Sequence, residues 1–208
     1  MAEGDQPPLT QPIQDLRRFR VPPGFRGRPA WSVQLWWIVQ ATLFRMSPQF
    51  MFGWRNWLLR RFGAVIGTGV RIRASARLTY PWKIRIGDWS WIGEEAVLYS
   101  LEEIVVGANV SVSHRCYLCA GGHDYTDPAF PYLLDPGKTR IHIGDESWLG
   151  NDVFVGPGVT VGHGAVVGAR SSVFESLPPM MVCYGSPAKA HKPRIREAAD
   201  GRESSASP

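Results

Sequence analysis

A six-residue repeat runs through the chain between residues 63 and 177 and limits the folds open to it. Isoleucine, leucine or valine recurs every six residues within five groups of three, and small or aliphatic residues recur two positions earlier. The recurring positions, here called anchors, are Ile66, Ile72, Leu78, Ile86, Ile92, Leu98, Val106, Val112, Leu118, Ile143, Leu149, Val155, Val161, Val167 and Val173. A spacing of two puts both side chains on one face of a strand, whereas a helix needs spacings of three and four. The repeat therefore predicts short strands.

The first anchor of each group is followed by glycine, which indicates a tight corner. These glycines are Gly67, Gly87, Gly107, Gly144 and Gly162. Because glycine accepts a positive φ without steric penalty, we expect the backbone to turn there. Three strands and three corners make one coil of about eighteen residues, and stacked coils bury the anchors. We predict an all-β triangular parallel β-helix of about five coils. Its hand does not follow from the period, and the usual crossover preference favours right-handed.

The segments around the repeat differ from it in composition. Residues 1–30 are rich in proline, glycine and arginine, and residues 31–62 hold five of the nine tryptophans. Between Leu118 and Ile143 the repeat stops for more than twenty residues, and long loops inside compact repeats are usually functional. We predict an extended arm at 1–30, a Trp-rich cap of two short helices at 31–62, the β-helix at 63–177 with a protruding catalytic loop at 119–140, an exit segment at 178–193 and a disordered tail at 194–208.

Composition narrows the class of protein. The 208 residues suit one domain, and the formal charge of +5 suits an anionic ligand without choosing one. The chain has three cysteines, an odd number, and its N-terminus lacks the apolar segment of a signal peptide. Both observations favour a reduced, cytoplasmic setting over a disulfide scaffold. The longest apolar run, 31–44, is too short to span a bilayer. We therefore expect a protein that is soluble or touches a membrane without crossing it.

Several motifs resemble those of a known family. The loop GGHDYTDPAFPY, the stretch IGDESWLGNDVFVGPGVTVGHGAVVGARS and the exit YGSPAKAHK resemble the hexapeptide-repeat acyltransferases, in particular the maltose and galactoside O-acetyltransferases. The N-terminal LWWIVQATLF and GWRNWLLRRFGAVIG resemble the colanic acid biosynthesis acetyltransferases. The resemblance covers roughly residues 31–193. It implies a left-handed β-helix, a homotrimer, acetyl-CoA as the donor and a sugar hydroxyl as the acceptor.

His123 is the candidate general base. Acyl transfer from a thioester needs a group that takes the proton of the attacking hydroxyl, and imidazole titrates in the right range. His123 also matches the catalytic histidine of the family. Asp124 either orients the imidazole or caps the turn, and both interpretations stay open. No serine or cysteine is placed as a nucleophile beside His123, so we expect direct transfer in a ternary complex.

The resemblance also implies a set of donor contacts. Trp148 matches the aromatic residue that shapes the acetyl site, Asn151 a residue near the thioester, and Ala169 a backbone contact to the pantetheine arm. Lys189 and Lys192 match a basic pair near the 3′-phosphate, which suits the flexible charge of lysine; a solvated exit strand is the alternative. Because these lysines are assigned to a phosphate of CoA, we do not expect the positive net charge of the chain to bind nucleic acid. The relatives carry Thr-Lys where this chain has Phe174-Glu175, so a cationic contact is missing there.

Acceptor contacts follow less directly from the motifs. Related sugar transferases place an acidic residue opposite the catalytic histidine, and Glu102 and Glu103 in SLEEIV are the nearest candidates. They do not align cleanly with the family position, and a solvent-facing turn is the alternative. Tyr125 is a candidate stacking platform for a sugar ring.

Histidines and cysteines allow a test for metal. His114 and His163 lie on different coils and His142 faces outward, without the paired spacing of a zinc carbonic anhydrase of this fold, so no metal is expected. Cys116 and Cys119 form a C-x-x-C motif, but Cys116 falls in the inward column and Cys119 points the other way. We therefore expect core packing for Cys116 rather than a redox or zinc pair.

The tryptophan cluster at 31–57 has two compatible interpretations. It covers the open first coil, or its Trp and Arg side chains make a peripheral membrane contact at the inner face of the membrane. The predicted function is O-acetyl transfer to a sugar of exopolysaccharide biosynthesis. The alternatives are an N-acetyltransferase of an amino or nucleotide sugar, a zinc carbonic anhydrase and a non-catalytic β-helix scaffold.

Overall fold

The computed structural model describes residues 13–133 and 135–194. The first twelve residues of the predicted arm and all but Arg194 of the predicted tail lie outside these ranges. Short strands, almost all of them parallel, form three sheets that make the faces of a triangular prism. The first sheet contains β1 (Val65–Ile66), β4 (Ile84–Ile86), β7 (Ile104–Val106), β12 (Ile141–Ile143) and β15 (Thr160–Val161). The second contains β2 (Arg71–Ile72), β5 (Trp91–Ile92), β8 (Ser111–Val112), β13 (Trp148–Leu149), β16 (Val166–Val167), β18 (Met181–Gly185) and β19 (Ala188–Pro193). The third contains β3 (Arg77–Leu78), β6 (Val97–Tyr99), β9 (Tyr117–Cys119), β14 (Phe154–Val155) and β17 (Ser172–Val173).

The sheets confirm the predicted coils. Each anchor pairs with its counterpart one coil away, as Ile72 does with Ile92 and Ile92 with Val112. Five full coils are followed by the start of a sixth, where Leu177 bridges to Val161 and β18 pairs with β16. The chain then leaves the helix through β19, which is antiparallel to β18.

The core is the column of anchors inside the prism. All fifteen anchors are buried, and the most exposed, Ile66, shows only 7% of its surface. The small column two residues earlier is also buried, as at Ala76 and Val153. A spacing of six thus returns each anchor to the interior, and burial of each such aliphatic side chain contributes about 1.5–3 kcal/mol.

The corner glycines act differently from the expectation. The five glycines after the first anchors are not among the described residues with positive φ. The left-handed conformation falls two residues later, at Gly69, Trp89, Asn109, Glu146 and Gly164. Glycine is required at the corner because successive coils approach too closely for a side chain. A Cβ on Gly87 would lie 2.6 Å from the carbonyl carbon of Gly107.

Two helices close the N-terminal end of the prism. These are α1 (Ala30–Val39), which continues as a π-helical turn (Gln40–Phe44), and α2 (Phe52–Arg61). Their buried apolar side chains, such as Trp36 and Leu59, belong to the same core as the anchors.

Polar side chains of this cap also bond the open edge of the first coil. Trp36 Nε1 donates to the carbonyl of Leu78 at 2.8 Å, and Arg55 Nε donates to that of Ile72 at 2.7 Å. Unpaired strand edges promote aggregation when they are left uncovered. The capping interpretation therefore describes the buried part of this segment.

Candidate active site

His123 lies on a small hairpin that projects from one corner of the prism. Its strands β10 (Gly122–His123) and β11 (Tyr132–Leu133) are antiparallel, and His123 pairs with Tyr132. The hairpin leaves the third sheet after β9 and returns to the first sheet at β12, through the short helix α3 (Pro136–Thr139). We call this corner, between the third and first sheets, the loop corner.

A backbone carbonyl fixes the orientation of the His123 ring. The Nδ1 atom lies 2.9 Å from the carbonyl oxygen of Phe130, and the Phe130 ring stacks on the imidazole at a centroid distance of 4.2 Å. A carbonyl oxygen only accepts hydrogen bonds, so Nδ1 must carry the proton. In the neutral ring Nε2 is then the basic nitrogen, as a general base requires.

The N-terminal arm packs against this hairpin, which the sequence did not indicate. The Phe19 ring lies 5.9 Å from the His123 ring and 5.3 Å from that of Tyr132, and the Phe25 ring stacks on Tyr132 at 5.3 Å. The amide of Asp15 donates to the carbonyl of Pro128 at 2.7 Å. The arm thus belongs to the surroundings of the imidazole. Only the alternation of Phe19 and Phe25 with arginines could have pointed to it.

Asp124 and Tyr125 lie on the outer side of the hairpin. The Asp124 carboxylate accepts hydrogen bonds from the amide and the hydroxyl of Thr126, at 2.9 and 2.5 Å. These bonds lower the pKa of Asp124. Of the two interpretations of Asp124, the turn cap describes this geometry, whereas Phe130 orients the imidazole. The Tyr125 ring is exposed to solvent.

Glu102 and Glu103 lie at the loop corner, one coil before the hairpin. Glu103 is held between Arg85 and Arg140, each 2.6 Å from one of its carboxylate oxygens. Glu102 is 4.0 Å from the ammonium of Lys83. The amide of Glu102 also donates to the carbonyl of Ala120, at the base of the hairpin. The structure therefore places both glutamates beside the loop, with Glu103 already neutralised by two guanidinium groups.

Three of the predicted donor residues share one edge of the prism. Trp148 lies on the outer face of the second sheet, and its Nε1 donates to the Ser113 hydroxyl at 3.0 Å. Asn151 and Ala169 stack at the corner between the second and third sheets, where the amide of Arg170 donates to the carbonyl of Asn151 at 2.8 Å. We call this the donor corner. In one chain it is a different corner from the one that carries His123.

The two predicted phosphate contacts lie on β19. Lys189 Nζ is 3.0 Å from a carboxylate oxygen of Glu175, and both side chains are more than half exposed. Glu175 lies at the position where the family resemblance implies a lysine. Lys192 is exposed and pairs through its backbone with Val182.

Comparisons with known proteins show the family of this chain. The chain is 52% identical over 183 residues to WcaF of Escherichia coli strain K12, which is named as a colanic acid biosynthesis acetyltransferase; the match covers 88% of this chain and 98% of that protein. A Mycobacterium tuberculosis protein named as an acetyltransferase is 33% identical over 171 residues, covering 67% of this chain and 57% of its own. No protein-family model matches the chain. The chain belongs to the hexapeptide-repeat acetyltransferases.

Solved structures of acetyltransferases have the same fold as this chain. A hexapeptide-repeat acetyltransferase of Vibrio cholerae superimposes with a TM-score of 0.71 at 22% identity, covering 80% of this chain and 92% of that one. A galactoside acetyltransferase in complex with coenzyme A gives 0.72 at 21% identity, covering 84% of each chain. The fold is the left-handed parallel β-helix, so the right-handed crossover preference does not apply here and the family resemblance gave the correct hand.

The cysteines and histidines of the acetyltransferase form no metal centre within the described ranges. No group of three or more His, Cys, Asp or Glu side chains could hold an ion there. His114 Nδ1 instead accepts the amide hydrogen of Glu94 at 3.1 Å. Cys116 is buried, and burial raises its pKa to about 11. Cys119 is partly exposed, and both thiols are free.

None of the helices formed by residues 13–133 and 135–194 is long and apolar enough to cross a bilayer. Several large apolar side chains of the cap are nevertheless exposed. On α1 they lie on the face opposite to the buried Val33 and Trp36. These exposed residues are Trp31, Leu35 and Ile38, followed in the next segment by Leu43, Met46 and Phe50.

Proposed function

We propose that this acetyltransferase transfers the acetyl group of acetyl-CoA to a sugar hydroxyl in the biosynthesis of a colanic-acid-like exopolysaccharide, with His123 as the general base. The observation that carries the proposal is the bond between His123 Nδ1 and the Phe130 carbonyl, which leaves Nε2 with its lone pair. The 52% identity to a colanic acid biosynthesis acetyltransferase supports the pathway. The bound coenzyme A of the galactoside acetyltransferase supports the donor.

The reaction requires one group that takes the hydroxyl proton and then returns it to the leaving thiolate. The hydroxyl oxygen of the sugar attacks the thioester carbonyl carbon while His123 Nε2 takes the hydroxyl proton. The C–S bond then breaks, and the CoA thiolate leaves and recovers the proton from the imidazolium. The Phe130 carbonyl accepts from Nδ1–H throughout and stabilises the cationic ring. General catalysis of this kind contributes typically ~10²–10⁴-fold to the rate.

The enzyme acts as a homotrimer in this proposal because one chain holds only half of each site. His123 projects from the loop corner, and Asn151 and Ala169 lie at the donor corner of the same prism. Two corners of a rigid triangular prism do not meet. A cyclic arrangement brings the loop corner of one copy to the donor corner of the next, and three copies close the ring.

The donor then lies along the donor corner and β19. Trp148 shapes the acetyl site, Asn151 lies near the thioester and the backbone at Ala169 contacts the pantetheine arm. Lys189 and Lys192 bind the 3′-phosphate as flexible positive charges. Since Lys189 is already paired with Glu175, phosphate binding has to displace that carboxylate.

On the acceptor side, Tyr125 and Glu102 are the better candidates for sugar contacts. The Tyr125 ring is free to stack on a sugar. Glu102 has one cation at 4.0 Å, whereas both oxygens of Glu103 are already bonded to arginine. A carboxylate with free lone pairs can accept a hydroxyl hydrogen bond.

A contact with the inner face of the membrane fits the cap. Helix α1 is apolar on both faces, and a helix that is apolar all round normally finds apolar surroundings on every side. Residues 16–87 hold fourteen arginines and lysines and no aspartate or glutamate. Exposed Trp, Ile and Phe side chains beside such a charge excess suit an anionic lipid surface. A cytoplasmic enzyme placed there would meet acceptors made at the membrane.

Product analysis tests the proposed reaction. The purified enzyme is incubated with acetyl-CoA and a panel of neutral sugars, amino sugars and nucleotide sugars, and NMR identifies the linkage of each product. We expect O-acetyl esters, formed with release of one CoA per ester. Amide products alone would contradict O-acetyl transfer and indicate N-acetyl transfer. No binding of acetyl-CoA in a thermal-shift titration would indicate a non-catalytic scaffold.

A further inference from the structure

A continuous groove runs over the outer face of the third sheet in the first three coils. Three adjoining cavities, of about 430, 280 and 170 Å³, share the side chain of Arg77. Trp37 and Gln40 of the cap form one wall, and Tyr99 and Tyr117 of the sheet form another. We call this feature the arginine groove. Aromatic walls with a few polar groups are the usual lining of a ligand site.

Strand register builds the floor of the arginine groove. Arg77, Val97 and Tyr117 pair side by side in β3, β6 and β9, so their side chains stand in one outward column. Tyr99 begins the next column, beside Cys119. Neighbouring strands are about 4.8 Å apart, so the floor is rigid and its side chains keep fixed spacings.

Among the three arginines of the groove, one is paired with a carboxylate of the described residues and two are not. Arg115 binds Asp152 through two hydrogen bonds of 2.7 Å, and Glu95 acts on the same guanidinium. Arg45 and Arg77 form no ion pair with any residue in the described ranges. A guanidinium presents a planar fork of donors that fits a carboxylate or a phosphate. The groove therefore offers two guanidinium groups without an ion pair in the described part of the chain: Arg45 at one end and Arg77, which lines all three cavities.

The other end of the groove leads to the catalytic hairpin. The amide of Ala120, at the base of the hairpin, donates to the carbonyl of Tyr99 at 3.0 Å. Tyr99 and Tyr132 pack on the same small apolar cluster, and the Tyr132 ring lies 4.6 Å from that of His123. Packed aromatic side chains thus connect the Tyr99 end of the groove to the hairpin that carries His123.

We propose that the arginine groove holds an anionic acceptor: a saccharide whose carboxylate or phosphate binds Arg45 and Arg77 while its neutral rings lie on Tyr117 and Tyr99. This deepens the proposed sugar acetyl transfer and rests on it. The acetylated hydroxyl belongs to a neutral ring near His123, and the anionic group lies further along the chain of sugars. The anion selects the acceptor and takes no part in the chemical step.

Acceptor kinetics of the intact enzyme test the groove. The probes are lactose as a neutral disaccharide, a disaccharide of glucuronic acid as a carboxylate, and UDP-glucose as a phosphate. We expect a lower KM for at least one anionic probe than for lactose. Arg77→Gln and Arg45→Gln should raise that KM by ~10-fold or more, because each removes a charge-assisted pair. The kcat, the KM for acetyl-CoA and the KM for lactose should change less than two-fold.

Arg61→Gln is the matched control, since this exposed arginine of α2 lies outside the groove. Equal changes for lactose and the anionic probes, or none with either, would refute the groove as an anion site. So would dissociation of Arg77→Gln into smaller species by light scattering, which would make the groove an interface between copies. Calorimetric binding of the anionic probes to His123→Ala separates the two proposals, because it detects the groove even if no sugar is acetylated.

Discussion

His123 Nδ1 lies 2.9 Å from the carbonyl oxygen of Phe130, and the same residue stacks its ring on the imidazole. One residue therefore fixes both the tautomer and the plane of the base. The carbonyl belongs to the backbone, so substitution of the Phe130 side chain leaves the tautomer unchanged. Phe130 therefore orients the imidazole of His123, whereas the neighbouring Asp124 caps the turn.

His123→Ala should reduce kcat by ~10²–10⁴-fold while the KM for acetyl-CoA changes little, because the substitution removes the base and leaves the donor corner intact. Asp124→Asn is the matched comparison. The Asp124 carboxylate bonds within its own turn, to the amide and the hydroxyl of Thr126, and asparagine keeps an oxygen for the same turn. We expect at least a third of wild-type kcat in that variant. Steady-state kinetics of both variants decide the point, and equal losses would make Asp124 part of the catalytic machinery.

Phe19 of the N-terminal arm should affect kcat through its packing on the hairpin, although it is far from His123 in the sequence. Phe19→Ala removes ring contacts with His123 and Tyr132 at 5.9 and 5.3 Å. Aromatic pairs contribute about 0.5–1.5 kcal/mol, so the ordered hairpin should lose roughly 2–10-fold in population and kcat should fall accordingly. Phe19→Tyr should restore most of the activity. A change in the KM for acetyl-CoA with unchanged kcat would contradict a positioning role.

The coils could be predicted in detail because their physics is local and periodic. A spacing of six returns each aliphatic side chain, such as Ile92 or Val161, to the interior of a triangular coil, and the structure buries every anchor. The hand of the coil is not local, and only the resemblance supplied it. The corner glycines are required, as expected, but the expected reason, a positive φ, is wrong. The close approach at Gly87 arises between coils, which a single period does not reveal.

The candidate site was harder to predict because its contacts join distant segments. His123 stood out by its residue type and its motif. The packing of Phe19 on that ring spans about a hundred residues of sequence without any period. The Lys189–Glu175 pair likewise depends on how β19 folds back over the last coil. The sequence shows an acidic residue at position 175, but it does not show that this residue pairs with Lys189.

Glu175 should weaken donor binding by competing for Lys189. Glu175→Gln frees the ammonium 3.0 Å away, so the KM for acetyl-CoA should fall by ~2–5-fold, the range expected for an exposed ion pair. Lys189→Ala should raise that KM. Acetyl-3′-dephospho-CoA provides the control, since its KM should respond to neither substitution. Equal responses of the two donors would place the 3′-phosphate elsewhere.

The exposed apolar side chains of the cap should bind anionic lipid. The combined substitutions Trp31→Ser, Ile38→Ser and Phe50→Ser remove exposed apolar side chains worth about 1.5–3 kcal/mol each when buried in lipid. Cosedimentation with vesicles containing phosphatidylglycerol should therefore fall at least ~10-fold. Phe174→Ser with Met180→Ser, exposed at the other end of the prism, should bind as wild type. Equal binding to phosphatidylcholine alone would refute the charge argument, and dissociation of the triple variant would assign the face to a second copy.

Alkaline pH should destabilise the fold through Cys116 and Tyr99. Burial raises the pKa of Cys116 to about 11 and that of Tyr99 to about 12, whereas the unfolded groups titrate at about 8.5 and 10. Between these values the folded chain holds more protons than the unfolded one, so stability falls as the pH rises above about 8.5. Each group contributes at most about 3 kcal/mol to this loss. Urea unfolding at fixed protein concentration, followed by tryptophan fluorescence from pH 8 to 11, should show a shallower decline for Cys116→Ala than for wild type. Because the lost sulfur also leaves a void, the slope with pH is the deciding quantity, and identical slopes would contradict the assignment to Cys116.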